Sequence, residues 1–509
     1  MINIDFTPSF CRIESIDIEL EEKLFEFLSY HPSGYFFSPK YITYLQAKAT
    51  RDKMIADAEA KGVSVDENKI RALMHPSRVW DGYIHMYSPS SKRFRSGLLR
   101  RVLKFLKEQG EEVEVIDFPE RKEFHQNSDT FTLRPYQAEC VKVIARERFG
   151  ILLSPPRSGK TLMFIATVDS EKQFPTVFFC RSVDLAKQTV KRLRQFLPHI
   201  KTGMIADGVV DIQDVTVVTV QSVFSAYNKK WEDKSIALEK MVTDKLAVKT
   251  LIRKAKIVFY DEVHHAKGDT SKFVLDKCIS TNMKIGLSAT PFSGNSEDIL
   301  VEQSVGDVIH KISYSELIKE GYLLKPYIYI YKLPKMVVEG NYQSIYKQAI
   351  VDNEFLQGLV KKIVNKLVSL NHSVVIQTEF INHTQLLSKL LGCPSLTGKD
   401  TSEKRDELLG KLERKEIMCL VSTLMEEGID VGSLGYTINI AGGLSSISTF
   451  QRMRSITTNE GKKTCGIIDF YHQCEYLKKH SRIRKTLYES EPEFAITMRD
   501  VSKLSLEEI

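Results

Sequence analysis

Gly150-Ile151-Leu152-Leu153-Ser154-Pro155-Pro156-Arg157-Ser158-Gly159-Lys160-Thr161 is the stretch on which the fold of this 509-residue chain turns. An apolar, β-prone run enters a turn of small residues, and the turn opens a helical pattern through Leu162, Phe164 and Ile165. Strand, turn and helix in that order form a phosphate cradle. Gly159 lets the backbone approach an anion, the Ser158 and Gly159 amides and the helix N-terminus face its charge, Lys160 reaches the β and γ oxygens, and Thr161 is a ligand for Mg2+. The first glycine of the GxxxxGK[ST] pattern is replaced here by Ser154.

Downstream, Lys256-Ile257-Val258-Phe259-Tyr260 is a second β-prone run, and it ends in Asp261-Glu262-Val263-His264-His265. Acids at the C-terminal end of a strand stand where parallel sheets bind ligands. Asp261 is expected to hold Mg2+ through water, and Glu262 to orient or deprotonate an attacking water. His264 is expected to reach the segment Ser288-Ala289-Thr290-Pro291 and couple the two. His265 reads as a surface or packing histidine, because a zinc site needs further ligands at metal spacing that the sequence does not offer. Late in the chain Gln451-Arg452-Met453-Arg454 supplies guanidinium groups, whose planar fork suits charge spreading over γ-phosphate oxygens.

In this order the segments SPPRSGKT, DEVHH, SATP, EEGIDVG and QRMR resemble the motifs of superfamily 2 helicases. The resemblance spans roughly residues 130–470 and implies an ATP- and Mg2+-dependent motor with the nucleotide between two lobes. By it, Arg134 and Gln137 in Leu133-Arg134-Pro135-Tyr136-Gln137 read the adenine. Arg181 and Gln221 contact nucleic acid on the first lobe; Thr397, Gly398 and Thr423 do so on the second. Gly428 and Asp430 belong to the motif that touches the backbone and the ribose. Ser288, Thr290 and Gln451 join His264 in coupling hydrolysis to movement. Lys160, Asp261 and Glu262 carry the catalysis, with Arg452 and Arg454 sharing the finger role. The family pattern QRxGRxxR is not kept: Arg454 falls on its glycine, Ser455 on the middle arginine and Thr458 on the last.

The first 125 residues carry a different signal. Arg78 to Tyr87, with Trp80-Asp81-Gly82 at its centre, and then Phe94-Arg95-Ser96-Gly97-Leu98-Leu99 resemble the N-terminal domain of phage UvsW-type, RecG-like helicases. In the helix that follows, Leu99, Val102, Leu103 and Leu106 form an apolar face. Lys92, Arg93, Arg95, Arg100, Arg101, Lys104 and Lys107 put seven cations into sixteen residues, enough to neutralise several phosphates without regard to sequence. Of these, Arg93, Arg95, Arg100, Arg101 and Lys104 are the expected DNA contacts. Trp80 and Phe94 are candidates either for stacking on bases or for plugging the core.

The expected fold is α/β: two RecA-like parallel-sheet domains in tandem, residues 126–322 and 323–509, preceded by a small α+β DNA-binding domain over residues 1–125. Leu45 to Leu73 and Asn228 to Lys254 read as charged helical inserts, and the tail after Tyr471 as a basic helix followed by a frayed acidic end. A net charge of +7 suits a polyanionic partner. Eight cysteines without a CxxC pair point to a reduced, cytoplasmic chain, in host cytoplasm if phage-encoded. No apolar run approaches the ~20 residues that span a bilayer, so no membrane partner is expected. The resemblance implies branched or forked duplex DNA as substrate, with a single strand in the motor cleft, RNA as a partner in R-loops, and work such as four-way junction branch migration, fork regression and R-loop unwinding in recombination, replication and repair. Three alternatives stay open: a duplex translocase that does not separate strands, an RNA helicase, and a DNA-binding scaffold with an inactive ATPase.

Overall fold

A computed structural model describes residues 1–75, 77–228, 237–289, 296–424, 431–443 and 464–503. Packing divides the chain into two compact units. One holds residues 1–152, 161–287 and 294–310; the other holds residues 153–160, 288–293 and 311–509.

The chain opens with a five-stranded sheet in the order Tyr87–Ser88, Arg93–Arg95, Phe10–Ile13, Ile2–Phe6, Val113–Ile116. Its pairs are antiparallel except that Ile2–Phe6 runs parallel to Val113–Ile116. Alternation explains the first strand: Ile2, Ile4 and Phe6 are buried while Asn3 and Asp5 between them are half-exposed. The helix Leu99–Glu108 lays Leu99, Val102, Phe105 and Leu106 into the same core, so Phe105 takes the place that spacing gave to Leu103, which is only partly buried. Phe94 is 1 % exposed and belongs to this core, which removes it as a base-stacking residue. Trp80 is half-buried, and its indole N–H donates to the Tyr83 carbonyl at 2.7 Å, closing the turn around Gly82. Gly82 adopts φ 89, and a Cβ there would lie 2.9 Å from the rings of Tyr35 and Tyr41.

The first insert is helical over Pro39–Lys61 and again over Glu67–Leu73, and the second over Ala237–Lys254.

An eight-stranded sheet follows, ordered Val209–Val210, Thr202–Ala206, Val215–Thr219, Thr176–Cys180, Ile257–Asp261, Met283–Ser288, Phe149–Leu153, Val308–Lys311. Its central strands are apolar throughout: Val177, Phe178, Val258 and Phe259 are at most 1 % exposed, as strands covered on both faces require. The strands Ile257–Asp261 and Met283–Ser288 run parallel. Hydrogen bonds from Lys284 N–H to Arg148 O and from Ser154 N–H to Ser288 O continue that direction into Phe149–Leu153.

The second unit holds a seven-stranded sheet, Ser395–Leu396, Cys419–Ser422, Val374–Gln377, Tyr436–Asn439, Cys465–Tyr471, Pro326–Lys332, Ala495–Asp500, and every pair is parallel. The helix Glu354–Ser369 supplies six of its core residues, from Leu356 to Leu367. The tail corrects one expectation. After the helix Leu477–Glu489 the chain is ordered as far as Lys503: Ala495–Asp500 pairs with Pro326–Lys332, and Lys332 holds Asp500 at 2.8 Å. Acidic composition had hidden a β-edge. The edge pair Thr202–Ala206 and Val209–Val210 of the eight-stranded sheet is antiparallel; two largely parallel α/β sheets of this kind are RecA-like domains.

Candidate active site

The P-loop turns through two left-handed residues, Arg157 at φ 64 and Gly159 at φ 86, and the helix Lys160–Glu171 starts directly behind them. Ser154 is not among the left-handed residues, so serine costs no backbone strain where the usual pattern has glycine. It also has an occupation. Its N–H donates to the Ser288 carbonyl at 2.9 Å and its hydroxyl donates to Ser158, tying the loop to itself and to the start of the SATP segment. Lys160 Nζ donates to the Ser154 carbonyl at 3.4 Å, a long hydrogen bond that an anion in the loop would displace.

The acids stand at the end of the strand Ile257–Asp261. Glu262 follows at φ 49, ψ 58, a left-handed conformation that a non-glycine residue holds only when its surroundings enforce it. Its N–H donates to Asp261 Oδ1 at 3.1 Å, and His264 Nδ1 lies 3.4 Å from Glu262 Oε2. His264 is 4 % exposed and packs against His265 with ring centroids 4.0 Å apart and planes tilted by 47°.

His265, assigned to packing from sequence, has a larger part. Arg181 Nη1 lies 3.0 Å from His265 Nε2, in position to donate to it. Both residues line a cavity of about 470 Å³ together with Gln221, Phe224 and Tyr260. Burial pushes the Tyr260 phenol up to about 12, so it stays a neutral donor and acceptor. Arg181 and Gln221, predicted as nucleic-acid contacts, therefore meet in one place. The five-residue turn Val263–Lys267 that directly follows the acids carries the histidine that holds Arg181. Doubled histidines after an acid pair were the available signal, and a sequence alone does not show which one faces another strand.

Gln137 is 4 % exposed, and its side-chain oxygen accepts from the Arg134 N–H at 2.9 Å, capping the helix Pro135–Glu147. Thr397 donates its hydroxyl to Asp400 Oδ2 at 2.9 Å and is 7 % exposed, while Gly398 beside it is exposed and Thr423 is half-exposed. Ser288 is fully buried. Thr290, Gly428, Asp430, Gln451, Arg452 and Arg454 lie outside the described residues.

The basic run divides. Arg101 makes a bidentate pair with Glu302 at 2.7 and 2.8 Å, Arg95 pairs with Asp276 at 2.7 Å, and Arg100 pairs with Glu147. Burial alone would raise the Glu147 carboxyl, but Arg146 and Arg100 together hold it below its ordinary value. These three arginines, expected to face DNA, instead tie the N-terminal module to the helices Pro135–Glu147 and Ile299–Val305 and to the end of Asp269–Leu275. Arg93 and Lys104 remain exposed. Gly97 shows how close the docking is: a Cβ there would lie 2.1 Å from the Glu302 carbonyl oxygen.

A phosphate-cradle loop, an acid pair at a strand end with Arg181 near it, and a second parallel sheet in the other unit are the parts from which nucleoside triphosphate hydrolysis is built, and in this the chain is similar to superfamily 2 helicases. Residues 130–293 match the family described as type III restriction enzyme, res subunit. The DNA 3'-5' translocase XPB2 of Sulfurisphaera tokodaii is 24% identical over 441 residues, 76% of this chain and 91% of that protein. The DNA-bound type ISP restriction-modification enzyme LlaBIII superposes with a TM-score of 0.52 at 11% identity, over 79% of this chain and 34% of that one, and so shares the fold. T4 UvsW aligns over 98% of this chain and 99% of its own, at 17% identity and a TM-score of 0.43. No helix among the described residues is long and apolar enough to cross a membrane.

Proposed function

We propose that the chain is an ATP- and Mg2+-dependent motor that moves 3′ to 5′ on DNA and remodels branched duplexes: four-way junctions, regressed forks and R-loops. One observation carries the coupling of the two activities. The turn Val263–Lys267 begins at the acid pair and, two residues later, His265 holds Arg181 in the cavity that Gln221 lines. A strand seated there pushes on the same turn that positions Glu262. The polarity comes from the name of the XPB2 relative, and the branched substrate from the UvsW-type pattern of the first 125 residues.

The residues present fit the nucleotide. Gly159 at φ 86 leaves the backbone open to a phosphate, and twelve residues of helix point their N-terminus at it. Ser158, Gly159 and Lys160 would hold the phosphates, Thr161 and Asp261 the Mg2+, Arg134 and Gln137 the base, and Gly428 and Asp430 the ribose side. Bound Mg2+ supplies charge neutralisation on the phosphate oxygens. Glu262 then orients water and takes its proton on the carboxylate; His264, Ser288, Thr290 and Gln451 transmit the state of the site; Arg452 and Arg454 stabilise developing charge, worth a factor of ~10³ or more. Thr397, Gly398 and Thr423 hold the strand on the second sheet.

Lys160→Ala tests the reading. ATP hydrolysis and unwinding, measured side by side on single strands, forks, four-way junctions and RNA–DNA hybrids, should both be lost. Junction processing that survives the substitution makes the chain a scaffold. The restriction-enzyme match and the translocase name of the XPB2 relative favour a second reading, a duplex motor without strand separation. That motor would strip a triplex-forming strand yet leave a forked duplex intact.

A further inference from the structure

The segment Val263–Leu275 separates two cavities. His265, Thr270 and Ser271 face the one that holds Arg181 and Gln221. On its other side Lys267, Asp269 and Lys272 face a cavity of about 550 Å³, closed opposite by Phe10, His85 and Arg93 of the N-terminal sheet region and, from the helix Ile299–Val305, by Gln303. That volume lies within the range of roughly 300–1,000 Å³ that ligand sites occupy.

Two features of the second cavity ask for a ligand of one kind. Arg93, Lys267 and Lys272 are in no ion pair among the described residues, and Asp269 is the one carboxylate among the described lining residues that could offset them, since Arg95 is already matched by Asp276. Gln303 is 5 % exposed, and its Nε2 has no hydrogen-bond partner among the described residues. A buried amide donor left unmade is costly, and an acceptor oxygen removes that cost. Uncompensated cations call for an anion; the rings of Phe10 and His85 are already covered on one face, by the Arg95 guanidinium at 4.4 Å and by Phe25 at 4.3 Å. A nucleic-acid strand offers both the charge and the acceptor oxygen.

We infer that this cavity is a second strand-binding site, continuous with the Arg181 cavity over the segment Val263–Leu275, so that a strand leaving the motor sheet passes beneath the N-terminal module. The inference rests on the reading of the Arg181 cavity as a strand track. In it, Arg93, Lys267 and Lys272 neutralise backbone phosphates, and Gln303 donates to a phosphate or base oxygen. The three docking arginines keep the N-terminal module in place to form its roof.

The test uses the full chain and oligothymidylates of two lengths, about 6 and about 20 nucleotides, of which only the longer spans both cavities. The triple variant R93E/K267E/K272E should bind the longer strand at least ~10-fold more weakly and flatten its logarithmic salt slope by roughly 2, at ~0.7 for each phosphate no longer neutralised, with the shorter strand affected far less. Gln303→Met, close in volume, should weaken binding of the longer strand a few-fold, with an unchanged thermal transition showing that the fold is kept. Arg181→Ala should weaken both lengths. Equal affinity of the unaltered chain and the variants for the longer strand overturns the second site alone, as does equal weakening of both lengths by the triple variant. Failure of the unaltered chain to bind either length overturns the functional reading together with it.

Discussion

Two basic helices, one in each unit, look alike in sequence and are built for different ends. In Leu99–Glu108 the arginines reach outward to carboxylates on two neighbouring helices, Arg100 to Glu147 of Pro135–Glu147 and Arg101 to Glu302 of Ile299–Val305, with Lys104 left exposed. In Leu477–Glu489 the decisive arginine turns inward. Arg484 is 1 % exposed; its guanidinium binds Asp469 through Nε at 2.9 Å and Nη2 at 3.0 Å, and donates to the Gly443 carbonyl at 2.9 Å. Tyr488 and Asn439 complete the shell of Asp469, at 2.8 and 3.2 Å. Arg484 and its hydrogen bonds hold the Asp469 carboxyl below its ordinary value although burial alone would raise it. The lesson is about residue type. A planar fork matches a carboxylate bidentately and tolerates burial, whereas a lysine on the same helix stays solvated.

Breaking the inward pair should be the largest single effect. Asp469→Asn leaves Arg484 charged and buried without its counter-ion, a loss of about 3–5 kcal/mol in denaturant unfolding. The double variant Asp469→Leu/Arg484→Met should recover much of it, and no recovery would mean that the shell, not the charge, is what matters.

The outward pairs are half-solvated and weaker. Arg101→Ala leaves Glu302, whose carboxyl burial pushes up against the pull of Arg101, without its partner and should cost about 1–3 kcal/mol. Gly97→Ala forces the same interface apart and should destabilise it by a similar ~1–3 kcal/mol, read as earlier protease cleavage between residues 1 and 125.

Acid should find the second unit's interior next. His383 and His472 are buried, and burial lowers them to about 4 and about 3. Their folded values lie below the unfolded 6.5, so the unfolded chain takes up protons first, and stability falls as pH drops from about 6.5 toward 4. Each residue contributes up to roughly 1.4 kcal/mol per pH unit in that window. His383→Gln should shallow the slope of melting temperature against pH; an unchanged slope would remove His383 from the account.

Smallest is the effect of charge alone. Lys104→Glu with Lys107→Glu should leave stability within about 0.5 kcal/mol while weakening DNA binding in titrations, the reverse of Arg101→Ala.

Much of the motor was legible because its chemistry is local. Strand, turn and helix around Gly159 need nothing beyond that short stretch, and Asp261-Glu262 need only the apolar run before them. The β-strand after the last helix was illegible for the opposite reason. Ala495–Asp500 alternates little, and it is a strand because Pro326–Lys332 offers it an edge. His265 was missed for the same reason: its partner Arg181 is 84 residues away.

Sequence by itself determined that a strand, a turn of small residues and a helix follow one another around Gly159 and that two acids close a strand at Asp261, since order and spacing within a few residues dictate it. Only the tertiary structure decided which cations are spent. Arg100 finds its carboxylate 47 residues on, Arg95 at 181 and Arg101 at 201. Charge is a property of the residue, but neutralisation is a property of what the fold brings within about 3 Å of it.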